Sequence, residues 1–241
     1  MIKQVNEVPS ADNTATSTGE YVENVAADPG RPDSYRKTAL GSGEFKEPGE
    51  PFRQGNLIVL TGPSGVGKGT LTERMLKDIP QLVKSVSVTT RAKRPQEVDG
   101  KDYFFKSTEE FERMVHAYEF LEHAEFAGNY YGTPKSWVDN ELKQGNDVLL
   151  EIEVQGAKQV RLKRPQSLLI FVSPPSFEAL RQRLEGRATE TEEKIKARLQ
   201  KAQEELNEKH LFHYEVVNDD IDIAVNNLVH IVYAERRRIR R

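Results

Sequence analysis

Between Leu57 and Ile79 the chain is limited to one local arrangement: a strand, a tight glycine turn and a helix. Leu57-Ile58-Val59-Leu60 is an apolar run, β-branched in the middle, of the kind buried on both faces of a parallel sheet. After it, Leu71, Met75, Leu76 and Ile79 recur at helical spacing until Pro80 closes the helix. The link is Gly62-Pro63-Ser64-Gly65-Val66-Gly67-Lys68. Glycines let the main chain take conformations closed to other residues and come close to an anion. Successive N–H groups then form a nest around phosphate oxygens, and the helix N-terminus adds favourable dipole charge. Lys68 supplies a mobile cation for the β- and γ-phosphates of a nucleotide. The pattern departs from the usual one directly after the lysine. A magnesium-binding hydroxyl is expected there, but Gly69 takes its place and the hydroxyl comes one residue later, at Thr70. The segment therefore predicts an ion held mainly by phosphates and water, with no direct protein ligand assigned, and Thr70 donating to the α-phosphate.

The remaining ordered sequence reads as strands alternating with helices, which means an α/β fold with a mostly parallel sheet. Val148-Leu149-Leu150-Glu151-Ile152 and Leu168-Leu169-Ile170-Phe171-Val172 are two further buried strands, and Tyr214-Glu215-Val216-Val217 is a late one. Ser107-Thr108-Glu109-Glu110 is a capping box opening a helix. Thr133-Pro134 reads as an N-cap followed by proline at the first helical position, with Gly145 where that helix ends. A charged helix is expected from about Glu192 to Lys209, and Ile221, Val225, Leu228 and Val232 put an apolar face on a final helix. Residues 1–55 differ. Asp, Glu, Pro, Gly, Ser, Thr and Asn dominate them, they hold five of the twelve prolines, and their large apolar residues have no period. Such a segment buries too little surface to offset its ordering entropy and reads as a disordered extension.

Composition removes several function classes. With no cysteine among 241 residues, disulfides, thiolate metal sites and thiol catalysis are excluded. A net charge of −3 argues against nonspecific nucleic-acid binding. No apolar run approaches the roughly 18 residues that span a bilayer, and the N-terminus lacks a secretory pattern, so no membrane partner and a cytoplasmic location are expected.

Ser87-Val88-Thr89-Thr90-Arg91, then Arg94-Pro95, Glu97, Gly100, Asp102-Tyr103 and Phe105, resembles the signature of the guanylate kinase family. The likeness continues through Glu122 and Gly128-Asn129-Tyr130-Tyr131-Gly132-Thr133, and covers residues 56–235. It implies transfer of the γ-phosphoryl of ATP to GMP with magnesium. It also implies a three-layer P-loop kinase fold with a parallel core sheet, an inserted mixed α+β GMP-binding region at 86–136 and a helical lid at 176–200. The residues suit that chemistry. Arg91 and Arg94 offer guanidinium forks to a phosphate dianion, and Tyr103 and Tyr131 can donate hydroxyls to it. Guanine presents two donors, N1–H and the exocyclic amine, which match the Glu122 carboxylate, with Ser87 and Thr133 as further partners. Adenine would leave that carboxylate unpaired.

Glu151 and Glu153 lie two apart at a strand end, which predicts one shared face. The family usually carries aspartate at the second position. Glu153 is a candidate for orienting metal-bound water, and Glu151 either contacts the GMP side or is simply solvated. Arg183, Arg187 and Arg198 resemble the lid arginines that place positive charge on the transferred group. Asn218 stands where the family contacts the adenine of ATP. Arg236 to Arg241 is a basic end that complements a helix C-terminus. Two other readings remain: a peptide-binding scaffold module, against which the intact Lys68 and arginines argue, and a kinase for another small phosphate ester. Oligomeric state is not legible.

Overall fold

The computed structural model describes residues 53–126, 128–186 and 192–239. Expectations for residues 1–52 and for Arg187 fall outside them. In chain order the elements are β1 (Leu57–Thr61), α1 (Lys68–Asp78), β2 (Leu82–Lys84), β3 (Ser87–Thr89), β4 (Tyr103–Phe105), α2 (Thr108–His116), β5 (Phe120–Phe126), β6 (Asn129–Pro134), α3 (Lys135–Lys143), β7 (Asp147–Glu151), α4 (Val154–Lys163), β8 (Leu168–Ser173), α5 (Phe177–Glu185), α6 (Glu192–Asn207), a 3₁₀ turn (Lys209–Leu211), β9 (Tyr214–Val217) and α7 (Ile221–Arg236).

Five strands form a sheet in the order β2-β7-β1-β8-β9, and every pair in it is parallel. Alternation along β1 divides the core in two. Ile58 and Leu60 pack with Leu71 and Met75 of α1 and Leu228 and Val232 of α7. Leu57 and Val59 pack on the opposite face with Val138 and Leu142 of α3 and Ala157 and Val160 of α4. Helices therefore cover both faces, giving the expected three layers with a parallel core sheet.

A second, mixed sheet runs β4-β3-β6-β5. β3 lies parallel to β4 and antiparallel to β6, and β5 lies antiparallel to β6. Its small core stacks Phe111 of α2 on Phe120 at 4.7 Å and on Tyr130 at 5.4 Å. The Ser107 hydroxyl accepts the Glu110 N–H, and the Glu110 carboxylate accepts the Ser107 N–H, both at 3.1 Å, so the predicted capping box forms. Among the described residues, no helix is long and apolar enough to cross a membrane.

Three boundaries differ from the sequence reading. Thr133 is a strand residue paired with Glu122, so Pro134 becomes the N-cap and α3 starts at Lys135. The charged helix stops at Asn207 and tightens into the 3₁₀ turn. Order also begins before Asn56. The Gly55 N–H donates to Leu142 O at 2.9 Å, and Arg53 reaches Asp147 at 3.0 Å. The reason for the last is a buried charge. Asp147 is fully buried and also accepts from Arg236 Nε and the Asn56 N–H, each at 2.7 Å. Its two guanidinium partners fasten the segment leading into β1 and the end of α7 to the base of the sheet.

Removing that carboxylate strands two guanidiniums beside buried chain. Asp147→Ala should lower unfolding free energy by roughly 3 kcal/mol, read from urea denaturation. A loss near zero would mean that water already satisfies both arginines.

Candidate active site

The glycine turn leaves the C-terminal end of β1, at the edge where parallel sheets collect ligands. Gly65 and Gly67 have φ of +86° and +95°, in the left-handed region. Gly67 is the N-cap of α1, so the helix opens straight from the turn. A side chain there is blocked twice, since a Cβ would also lie 2.6 Å from Asn218 Nδ2. Asn218 holds the turn from behind. Its Nδ2 donates to Val66 O at 2.8 Å, its N–H donates to Ser173 O at 2.8 Å, and its own carbonyl accepts Arg183 Nη2 at 3.0 Å. The residue expected near adenine thus has its side chain committed to the phosphate turn. Arg183 reaches the same loop from α5.

Lys68 folds back over this turn, donating to Gly62 O at 2.5 Å and Pro63 O at 3.2 Å. Burial lowers its pKa, while Glu205, Glu151 and Glu153 oppose that shift. Glu205 lies on α6 seven residues beyond Arg198, where no motif marks it, and burial raises its own pKa. Arg198 is half-buried on the same helix, which packs through Leu199 and Ala202 on Leu180 and Leu184 of α5.

The second cluster lies on the mixed sheet. Glu97 accepts from Arg91 Nη2 at 2.6 Å and Nη1 at 3.1 Å. That bond, with Tyr131 adding to it, holds the guanidinium above its ordinary pKa. Arg91 also lies 5.5 Å from the centre of the Tyr103 ring, and Tyr103 meets Tyr131 edge-on at 6.1 Å. Arg94 gives Glu97 its N–H at 2.8 Å while its side chain stays exposed. Three residues of the expected set, Arg91, Tyr103 and Tyr131, are thereby brought together, and Arg94 stands at the rim.

A cavity of about 430 Å³ adjoins this cluster, lined by Lys84, Ser85, Ser87, Tyr103, Thr133 and Glu151 among others. Behind it the Thr133 hydroxyl donates to Glu122 Oε1 at 2.6 Å. Both residues are buried, Glu122 to 7% exposure, and burial raises the Glu122 pKa. The hydroxyl proton of Thr133 is therefore spent on the carboxylate, so toward a ligand Thr133 can only accept. A larger groove of about 600 Å³ lies between β9 and α7 and contains none of the predicted site residues.

Glu151 and Glu153 do not share one face. β7 ends at Glu151, and Glu153 is the N-cap of α4, so strand alternation stops between them. Glu151 lines the cavity and accepts from Lys84 at 3.0 Å. It also stands close to Gly69, where a Cβ would lie 4.0 Å from its Oε1. Glu153 turns to Lys201 of α6 at 2.7 Å. Among the described residues no cluster of three or more His, Asp or Glu is shaped to hold a metal ion. The carboxylates around Lys68 suit an ion whose inner ligands are phosphate and water oxygens. Sequence reasoning missed Lys84 and Glu205. Each is a charged residue on an unremarkable element, and only folding carries it to the site.

A family model described as guanylate kinase matches residues 54–235. A guanylate kinase from Desulfitobacterium hafniense (strain Y51) is 52% identical over 187 residues, spanning 78% of this chain and 94% of that relative. Among solved structures, a guanylate kinase from Anaplasma phagocytophilum superposes with a TM-score of 0.61 at 36% identity, over 77% of this chain and 88% of that one.

Keeping Glu122 charged in this setting costs stability. Its folded pKa lies above the ordinary value of 4.5. The folded state therefore binds the proton more tightly than the unfolded chain, and stability is lost as pH rises through the folded value. Glu122→Gln should raise the melting temperature at pH 7.5, and the gain should shrink as pH falls toward 4.5. A gain independent of pH would show that the carboxylate is not desolvated.

Proposed function

The chain belongs to the guanylate kinase family, ATP-dependent enzymes that move the γ-phosphoryl of ATP onto GMP, and we propose how its residues divide that work. The turn Gly62, Pro63, Ser64, Gly65, Val66, Gly67, with Gly69 and Thr70, binds the phosphates of ATP through main-chain amides and the N-terminus of α1. Lys68 leaves the Gly62 and Pro63 carbonyls to meet the β- and γ-phosphates. Asn218 contributes by holding Val66, with its main chain at the edge of the adenine side.

GMP enters the cavity of the mixed sheet. Arg91, Arg94, Tyr103 and Tyr131 grip its phosphate, and Glu97 keeps the Arg91 fork aimed. Glu122 accepts the guanine N1–H and amine, assisted by Thr133 and Ser87. The observation that carries this assignment is the position of Glu151, which lines the acceptor cavity and stands beside Gly69 at the donor turn. One carboxylate thereby marks where the two anions meet. Lys84 neutralises it in the absence of nucleotide.

Transfer needs positive charge on the equatorial oxygens while donor and acceptor oxygens stay in line. Arg183 of α5 and Arg198 of α6 would supply it, and Arg187 is proposed as a third from its sequence position. Magnesium, when bound, would neutralise the β- and γ-phosphates, with Glu153 accepting from water on the ion. We place the reaction in the cytoplasm.

A coupled ADP-release assay with GMP, AMP, UMP and CMP tests the assignment. GMP should be strongly preferred, and activity with none of the four would favour a binding module. Lys68→Ala should abolish transfer. Glu122→Ala should raise the GMP KM and relax base choice, and retained guanine selectivity would overturn its role. Arg187→Ala should lower kcat on the order of 10³-fold with GMP affinity nearly unchanged. Near-normal turnover would remove it from the mechanism.

A further inference from the structure

We infer that Gly156 is a positioning residue for base selectivity, because its missing side chain is what lets the Glu122 carboxylate sit where it does. The inference rests on Glu122 being the guanine acceptor. Gly156 is the third residue of α4, and its backbone lies outside the left-handed region that would call for glycine. A glycine inside a helix weakens it relative to alanine. What glycine supplies here is space. A Cβ at this position would lie 2.9 Å from Glu122 Oε2, 3.4 Å from the Glu122 carboxyl carbon and 3.3 Å from Ile152 Cδ1. The first approach is closer than carbon and oxygen tolerate. It falls on the far end of a side chain, so an alanine would push the carboxylate aside without breaking the helix.

The helix has no freedom to slide away instead. Gln159 accepts the His123 N–H at 3.2 Å and donates to His123 O at 2.9 Å. Lys163 donates to Phe120 O at 3.1 Å. Positions 156, 159 and 163 fall on one face of α4, and that face is bonded along β5 on both sides of Glu122. From the opposite direction Thr133 holds Oε1 at 2.6 Å. Oε1 is thus held by a hydroxyl, while Oε2 occupies the space that a Cβ at residue 156 would take. Guanine needs two acceptor positions at the spacing of N1–H and the amine, whereas adenine does not offer that donor pair. Rotating the carboxylate therefore costs guanine more than adenine.

The test measures KM for GMP, AMP and ATP, together with melting temperature, in four proteins: wild type, Gly156→Ala, Glu122→Ala and the double variant. For Gly156→Ala the GMP KM should rise on the order of 10-fold or more, with the GMP-over-AMP preference falling by a similar factor and the ATP KM within about twofold. Any fall in its melting temperature should be smaller in the Glu122→Ala background, since the clash falls on that carboxylate. In the Glu122→Ala background the same change should add nothing to the GMP KM, because no carboxylate remains to be displaced. Folding of the Gly156 variant only when Glu122 is also removed would support the inference as well. An unchanged GMP KM and base preference, an equal loss in both backgrounds, or failure to fold in both would overturn the inference. A wild-type enzyme with no guanine preference would instead overturn the reading of Glu122 itself.

Discussion

A short glycine turn can present its main-chain amides on one side only while its shape is fixed, and the Asn218 side chain braces it from behind. The turn follows β1 and opens α1, so its outer end is set by the sheet and its inner end by the helix. Between them the Val66 carbonyl needs a partner, and Nδ2 of Asn218 supplies it from the end of β9, 152 residues away. The same amide occupies the space a Cβ on Gly67 would need. Because the Asn218 carbonyl also takes Arg183, the phosphate turn and α5 lean on one residue.

Charge at the site is arranged against folding stability. Lys68 is half-buried and feels the charges of Glu205, Glu151 and Glu153, and Glu122 is buried against Thr133. Desolvation opposes the charged form of both groups. The carboxylates around Lys68 favour its ammonium. The Thr133 hydroxyl and the charge of Lys163 favour the Glu122 carboxylate against its burial. Titratable groups held away from their ordinary behaviour mark functional sites more often than structural ones.

The Lys84–Glu151 and Lys201–Glu153 pairs illustrate what spacing in a sequence can mislead about. Two glutamates separated by one residue share a face only while the strand lasts. β7 ends at the first of them, the second caps α4, and the two turn to different lysines. Thr133 is a similar case. Followed by proline it resembles a helix cap, but pairing with Glu122 draws it into β6 and buries it. The short strands of the mixed sheet left no periodic signal of their own, because three residues are too few for alternation to stand out.

Local chemistry was enough to determine the strand–turn–helix around the glycine turn, the long core strands and the capping box. Each of these follows from side chains or torsions within a few positions of one another. Tertiary structure alone decided that Asn218 braces Val66, that Glu151 rather than Glu153 lines the cavity beside Tyr103, and that Glu122 bonds Thr133 and fills the space a side chain on Gly156 would need. Those relations join segments tens of residues apart. They depend on how two sheets and α4 dock, a choice made by packing and buried hydrogen bonds that no local run of sequence encodes.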